Sequence, residues 1–322
     1  MSGALPITAD DVLAAGRRLA GLVRRTPTVP WDLGSPLTGA RLFLKLEHLQ
    51  VTGSFKPRGA QNALAVLPPE RLRNGVVTAS GGNHGLAVAY AAWKRGLPAT
   101  VFLPLSASPA IDPKLESYGA RVVREGPDWD DAWRAAQAYA ERSGAVTIHP
   151  FEDPPVMAGQ GTVGLEMLEQ QPDLETLVIA IGGGGLIGGI ACYAKHVRPR
   201  IRIVGVEPTG APSMAVSIRA GRVETLPEVR TIAGTLAPRA VGPNSLAVAA
   251  RYVDDLVTVS DEEMVAAMQL LWSDWNLLVE PSGAASLAAL MAERAGDVSG
   301  RRVGVLLCGA NLDVSAIWPK TP

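Results

Sequence analysis

Cysteine is nearly missing: Cys192 and Cys308 are the only two in 322 residues. Two thiols cannot build a disulfide framework or most thiolate metal sites, and their scarcity fits a reducing compartment in which both stay free. An excess of one charge is lacking too. The 30 basic residues stand against 31 acidic ones, so there is no sustained positive field for nucleic acid or an anionic membrane to exploit. Long apolar runs are also absent, with no stretch near the roughly 18 uncharged residues that span a bilayer. The first segment, MSGALPITADDVLAAGRRLAGLVRR, alternates small apolar and charged residues and lacks the unbroken apolar core of a signal peptide. The expectation is a cytoplasmic protein that meets a small molecule, with no nucleic acid and no membrane.

What is present is a chain long enough for a large buried core in one or two domains. A helix is expected from about Asp10 to Arg24, and ARLFLKLEHLQ alternates apolar and polar residues like a half-buried strand. From Gly75 onward, short β-branched runs exchange with helical stretches: GVVTAS, HGLAVAYAAWKRG, ATVFLP, LESYG, RVV. That rhythm implies parallel strands. It continues with a helix over 129–143, the strand AVTIHP, a helix over 157–169 and the apolar run LVIAIGGGG, which reads as a strand buried on both faces. IRIVGVEP, helices starting at Ser260 and near Ser282, and RVGVLLCGAN complete an α/β chain. Connections near residues 73 and 148 divide it into a large domain, 1–72 with 148–322, and a small domain, 73–147.

Four segments carry chemistry. In VTGSFKPRGA, residues 51–60, Pro57 suits the first turn of a helix and places Lys56 at its entrance. Helix-start dipoles disfavour the ammonium there, and an uncharged lysine is a nucleophile; the alternative is a solvated loop lysine. In TASGGNHG, residues 78–85, the small residues Ser80, Gly81 and Gly82 let backbone N–H groups approach an anion such as a carboxylate. Asn83 can donate to a cofactor oxygen. His84 reads as a packed or backbone-bonded histidine rather than a general base, because a helix N-terminus disfavours imidazolium.

In IGGGGLIGG, residues 181–189, four consecutive glycines after a buried strand offer unobstructed N–H donors to a phosphate. The segment lacks the Lys and Ser/Thr of a nucleotide P-loop and the spacing of a dinucleotide site, and close helix-to-strand packing is the competing reading. In LLCGAN, residues 306–311, Cys308 ends a buried strand; it is either a small hydrophobe or a thiol offered to a ring nitrogen. A nucleophilic lysine, a phosphate cradle without a nucleotide signature and a carboxylate-binding loop together suggest pyridoxal 5'-phosphate acting on an amino acid.

GSFKPRGA, SGGNHG, HPFEDP, GGGGL, GVEP, EPSGA and CGAN follow the order and spacing of the fold-type II pyridoxal-phosphate enzymes. Over nearly the whole chain the sequence resembles threonine and serine dehydratases (ammonia-lyases) and serine racemase. The resemblance implies a tryptophan synthase β-like fold: two open parallel-sheet domains with helices on both faces, the cofactor in the cleft between them, and a homodimer. It implies that Lys56 carries the cofactor as a Schiff base and exchanges protons with the substrate Cα, and that Phe55 packs against the cofactor. Asn83 would bond the ring hydroxyl, and Gly182, Gly183, Gly184, Gly185 and Leu186 would hold the phosphate. Ser80, Gly81, Gly82, Asn83 and His84 would bind the substrate carboxylate, and Cys308 would face the pyridine nitrogen. A neutral thiol there cannot stabilise a pyridinium, which favours prompt loss of a β-leaving group.

The implied activity is a carbon–nitrogen lyase reaction that converts L-threonine and/or L-serine to a 2-oxo acid and ammonia. The chain departs from the family pattern in places. The serine that racemases use opposite the lysine aligns with Gly81, so racemisation is not expected unless Ser80 or water substitutes, and the racemase-type metal pattern after Glu207 meets Ala211 and then Ser213, so no metal is predicted. Gly234 and Thr235 replace the Asp-Gly of many relatives, with consequences for the substrate pocket. From the end of the sequence at Pro322, the expectation is that the regulatory domain of biosynthetic threonine dehydratases is absent. The rival readings are racemisation, elimination from phenylserine-type substrates, β-replacement, and a non-catalytic sensor, against which intact Lys56 argues.

Overall fold

A computed structural model describes residues 4–32 and 39–313; Pro322 lies outside them. The strands are β1 (Thr28–Pro30), β2 (Arg41–Leu46), β3 (Val76–Ala79), β4 (Ala99–Leu103), β5 (Arg121–Arg124), β6 (Val146–Thr147), β7 (Thr176–Ala180), β8 (Arg202–Pro208), β9 (Asp255–Val259) and β10 (Arg302–Leu307). The helices are α1 (Ala9–Leu19), α2 (Pro57–Val66), α3 (Asn83–Trp93), α4 (Asp112–Ser117), α5 (Trp129–Ser143), α6 (Pro154–Gln170), α7 (Gly185–Val197), α8 (Ser213–Ala220), α9 (Pro243–Tyr252), α10 (Asp261–Trp275) and α11 (Pro281–Met291).

Local chemistry explains several boundaries. Thr8 and Ser260 start α1 and α10 with reciprocal capping boxes to Asp11 and Glu263, each satisfying amides that a helix start leaves open. Instead of reaching Arg24, α1 ends at Leu19, and Gly21 follows at φ 77°, a conformation that turns the chain away from the helix. α2 begins at Pro57, with Lys56 as its N-cap residue.

One sheet has the order β1-β2-β10-β7-β8-β9 and the other β5-β4-β3-β6. Pairing is parallel except at the edge, where β1 runs antiparallel to β2. The three-residue β1 is too short to leave a periodic signal. β2, expected to be half-buried, is buried from Leu42 to Leu46, Lys45 included. It lies inside the sheet, and Lys45 Nζ is met by the Glu166 carboxylate at 2.6 Å and the Thr26 carbonyl at 2.7 Å.

The apolar core falls into clusters on either side of the sheets. β7, β8 and β10 separate a cluster around α6 and α7 from one around α10 and α11. Ala60, Ala63 and Leu64 of α2 pack with β3, β4 and α3 in a third cluster. We propose the division at 73 and 147 as one of sheets, with α2 lent to the core of the small one.

Candidate active site

Parallel sheets bind ligands beyond the carboxyl ends of their strands. Here the segments after β2, β3, β7 and β10 converge on one cavity of about 880 Å³, lined by Lys56, Ser80 to His84 and Gly183 among others. The Lys56 segment is tied to the end of β10: Phe55 N donates to the Cys308 carbonyl at 3.1 Å and Ala310 N to the Gly53 carbonyl at 2.9 Å.

Lys56 is half-buried at the cavity wall, and its Nζ donates to the Pro150 carbonyl at 2.7 Å. Burial lowers its pKa to about 8, against the opposing influence of Cys308 and Glu280. About a tenth of the lysine is therefore neutral at pH 7, far more than for a solvated lysine, and the neutral form is the nucleophile. The Phe55 ring centroid lies 5.2 Å from Nζ.

The loop after β3 lines the cavity. Gly82 N donates to Ser80 Oγ at 3.3 Å. Asn83 begins α3; its Nδ2 donates to Glu280 Oε1 at 2.7 Å and its Oδ1 accepts from Asn311 Nδ2 at 2.7 Å. Among the described residues one Asn83 N–H is left for another acceptor, since the amide nitrogen has two. His84 Nε2 lies 3.0 Å from the Ile148 carbonyl, while Nδ1 is buried without a hydrogen-bond partner among the described residues. A carbonyl only accepts, so Nε2 carries the hydrogen. Burial, with the Lys56 charge, keeps this imidazole neutral, which matches the backbone-bonded reading.

After β7, Gly184 sits at φ 91° as the N-cap of α7, and a Cβ on Gly183 would lie 2.2 Å from the Phe151 ring. Bare backbone is thus required by packing and is also what an anion site at a helix start needs. Gly183 lines the cavity; Gly182 and Gly184 flank it in the turn, and Gly185 and Leu186 begin α7. Cys308 is buried behind the wall, its Sγ donating to the Ser282 carbonyl at 3.3 Å. Burial, then the nearby Glu280, holds that thiol neutral, well above its usual range.

A model of the family described as "Pyridoxal-phosphate dependent enzyme" matches residues 19–309. This chain belongs to that family. The enzyme is 40% identical over 311 residues to the L-threonine ammonia-lyase of Thermotoga maritima, covering 97% of this chain and 77% of that one. It is 37% identical over 313 residues to the serine racemase of Oryza sativa subsp. indica, covering 96% and 92%. Among solved structures, the T.th. threonine deaminase matches with TM-score 0.90 and 38% identity over 95% of this chain and 99% of that one. Maize serine racemase matches with TM-score 0.91 and 36% identity over 97% and 96%.

The residues of this pyridoxal-phosphate enzyme fit the cofactor. A lysine with a lowered pKa opens onto a cavity of sufficient size, and a loop that excludes any Cβ at Gly183 presents amides at a helix start.

Several wall residues escaped the sequence reading. Trp129, Phe151, Glu280 and Ser282 line the cavity beside Thr235, the pocket position expected from the sequence. Glu280 is the most consequential: 4% exposed, it accepts from Asn83, from Thr235 Oγ1 at 3.2 Å and from Asn311 N at 3.0 Å. Its signal was an acid just before Pro281 at a helix start within EPSGA. The HPFEDP segment forms wall rather than machinery: His149 Nδ1 accepts from the Glu152 amide at 3.0 Å, and Glu152 Oε1 accepts from the Asn244 amide at the start of α9 at 2.5 Å. Glu207 uses both oxygens on the first turn of α8, accepting from Met214 N at 2.7 Å and Ala215 N at 2.8 Å, and burial pushes its pKa up to about 7.

Proposed function

We propose that this enzyme is an L-threonine and/or L-serine ammonia-lyase that works by β-elimination. The observation that carries the reading lies at Gly81, where a Cβ would come within 2.8 Å of Ala107 Cβ. By the resemblance described above, a racemase would carry its opposite-face serine here, and in this chain a side chain would have to displace its neighbour. Lys56 is then the base available at the cavity wall.

In this reading the Ser80–His84 loop and the α3 N-terminus orient the substrate carboxylate, and the turn from Gly182 to Leu186 holds the cofactor phosphate. Phe55, Asn83 and Cys308 would hold the cofactor ring, Asn83 through the N–H not given to Glu280. The bound cofactor supplies a sink for the electrons of the Cα–H bond. Lys56 removes the Cα proton, and the departing β-hydroxyl takes up a proton so that it leaves as water. The neutral Cys308 leaves the sink weak, which favours departure of the β-hydroxyl over reprotonation at Cα. The homodimer and the cytoplasmic location belong to the same proposal; light scattering measures the first. No described helix is long and apolar enough to cross a membrane.

The test is a product assay on L-serine and L-threonine with chiral analysis of the remaining amino acid. Pyruvate or 2-oxobutanoate with equimolar ammonia supports the proposal. D-serine without pyruvate contradicts it, and no turnover of any amino acid would favour the sensor reading.

A further inference from the structure

Glu280 joins parts of the molecule that are distant in sequence. Its Oε1 accepts from Asn83 Nδ2, at the start of α3 beside the four-stranded sheet, and from Thr235 Oγ1; its Oε2 accepts from Asn311 N beyond β10. Thr235 Oγ1 is also hydrogen-bonded to Ser282 Oγ, and either hydroxyl can be the donor. The titratable groups acting on Glu280 are Lys56 at the start of α2 and Cys308 at the end of β10. Burial raises the Glu280 pKa to about 7, opposed by the donors Asn83, Thr235 and Asn311 and by Lys56. Its ionised and neutral forms are therefore both accessible near pH 7.

A carboxylate accepts only, whereas a carboxylic acid also donates and needs an acceptor. Asn83 and the Asn311 amide cannot supply one, because both present N–H to Glu280. A hydroxyl can do either. We propose that Thr235 is a positioning residue that donates to ionised Glu280 and accepts from neutral Glu280, reversing its bond with Ser282, so that Asn83 stays aimed at the cofactor in both states. With Glu280 ionised, hydrogens run from Ser282 to Thr235 to Glu280; with Glu280 neutral they run the other way. In both, Glu280 Oε1 keeps a lone pair for Asn83. A glycine at position 235 would have no hydroxyl with which to do this.

The inference rests on the proposed contact of Asn83 with the cofactor, and its test separates the two. Pyridoxal phosphate affinity of the apoenzyme would be titrated by absorbance from pH 6 to 8.5 for wild type, Thr235→Val, Thr235→Ser, Asn83→Ala and the Asn83→Ala/Thr235→Val double variant. Affinity is read as a ratio to wild type, which cancels titration of Lys56 and of the cofactor. The Thr235→Val ratio should stay within about twofold at pH 8.5 and grow to about tenfold weaker binding at pH 6, the scale of one hydrogen bond to a buried polar group. Thr235→Ser should follow wild type, and Thr235→Val should add nothing to Asn83→Ala. Thr235→Ala substitutes if the valine variant does not fold by thermal unfolding of the apoenzyme. A pH-independent Thr235→Val ratio, or additivity with Asn83→Ala, overturns the inference alone. Asn83→Ala binding as tightly as wild type overturns the Asn83 assignment and the inference with it.

Discussion

Two lysines eleven positions apart, Lys45 and Lys56, are both taken out of bulk water, and only one of them is prepared for chemistry. Lys45 is fully buried in β2 and is paired with Glu166, which with Glu47 also engages Arg58. Burial lowers its pKa, and Glu47 and Glu166 act against that lowering. Lys56 meets a neutral carbonyl at Pro150 instead and opens onto the cavity. A buried ammonium with its own carboxylate is a structural cation, whereas one held by a neutral partner gives up its proton more readily and becomes a nucleophile.

The sharpest break of this comparison is to remove each amine in turn. Lys56→Ala should lower turnover by at least about 10³-fold, the upper range of losing a positioned base, while the unfolding midpoint of the apoenzyme stays near wild type. Lys45→Met should do the reverse. It leaves Glu166 with only Arg58 and costs about 3 kcal/mol of stability, with activity per folded molecule retained. Equal losses of stability in the two variants would erase the distinction.

A smaller effect lies in pH. Lys56 must be neutral to capture pyridoxal phosphate, so the capture rate of the apoenzyme should rise about tenfold per unit below its pKa and level off above about 8. Stopped-flow absorbance measures this, and a rate still climbing at pH 10 would mean an ordinary solvated lysine. The smallest effect concerns the opposite wall. Gly81→Ser should cost about 1–2 kcal/mol through overpacking against Ala107, and Ala107→Gly in the same chain should recover most of it; calorimetry reads both.

Local and repetitive features are legible in the sequence. β7 is visible as an unbroken apolar run, the start of α10 as a serine with glutamate three residues on, and Lys56 as a residue held just ahead of a helix-starting proline. Long-range pairing is not. The alternating pattern of β2 reads as solvent exposure because the partner of Lys45, Glu166, lies 121 residues away. Glu280 has no visible role because Asn83 is 197 residues distant and Thr235 is 45. The glycine turn after β7 advertises its amides, yet its tight contact with Phe151 depends on a loop that no local pattern places there.

The central claim is that Lys56, and no other lysine, carries the cofactor. Borohydride reduction of the coloured holoenzyme followed by peptide mass spectrometry tests it directly. The expected result is loss of the visible band and a single pyridoxyl-phosphate adduct on Lys56; an adduct on Lys45 or another lysine, or a colourless protein that pyridoxal phosphate cannot reconstitute, would contradict it.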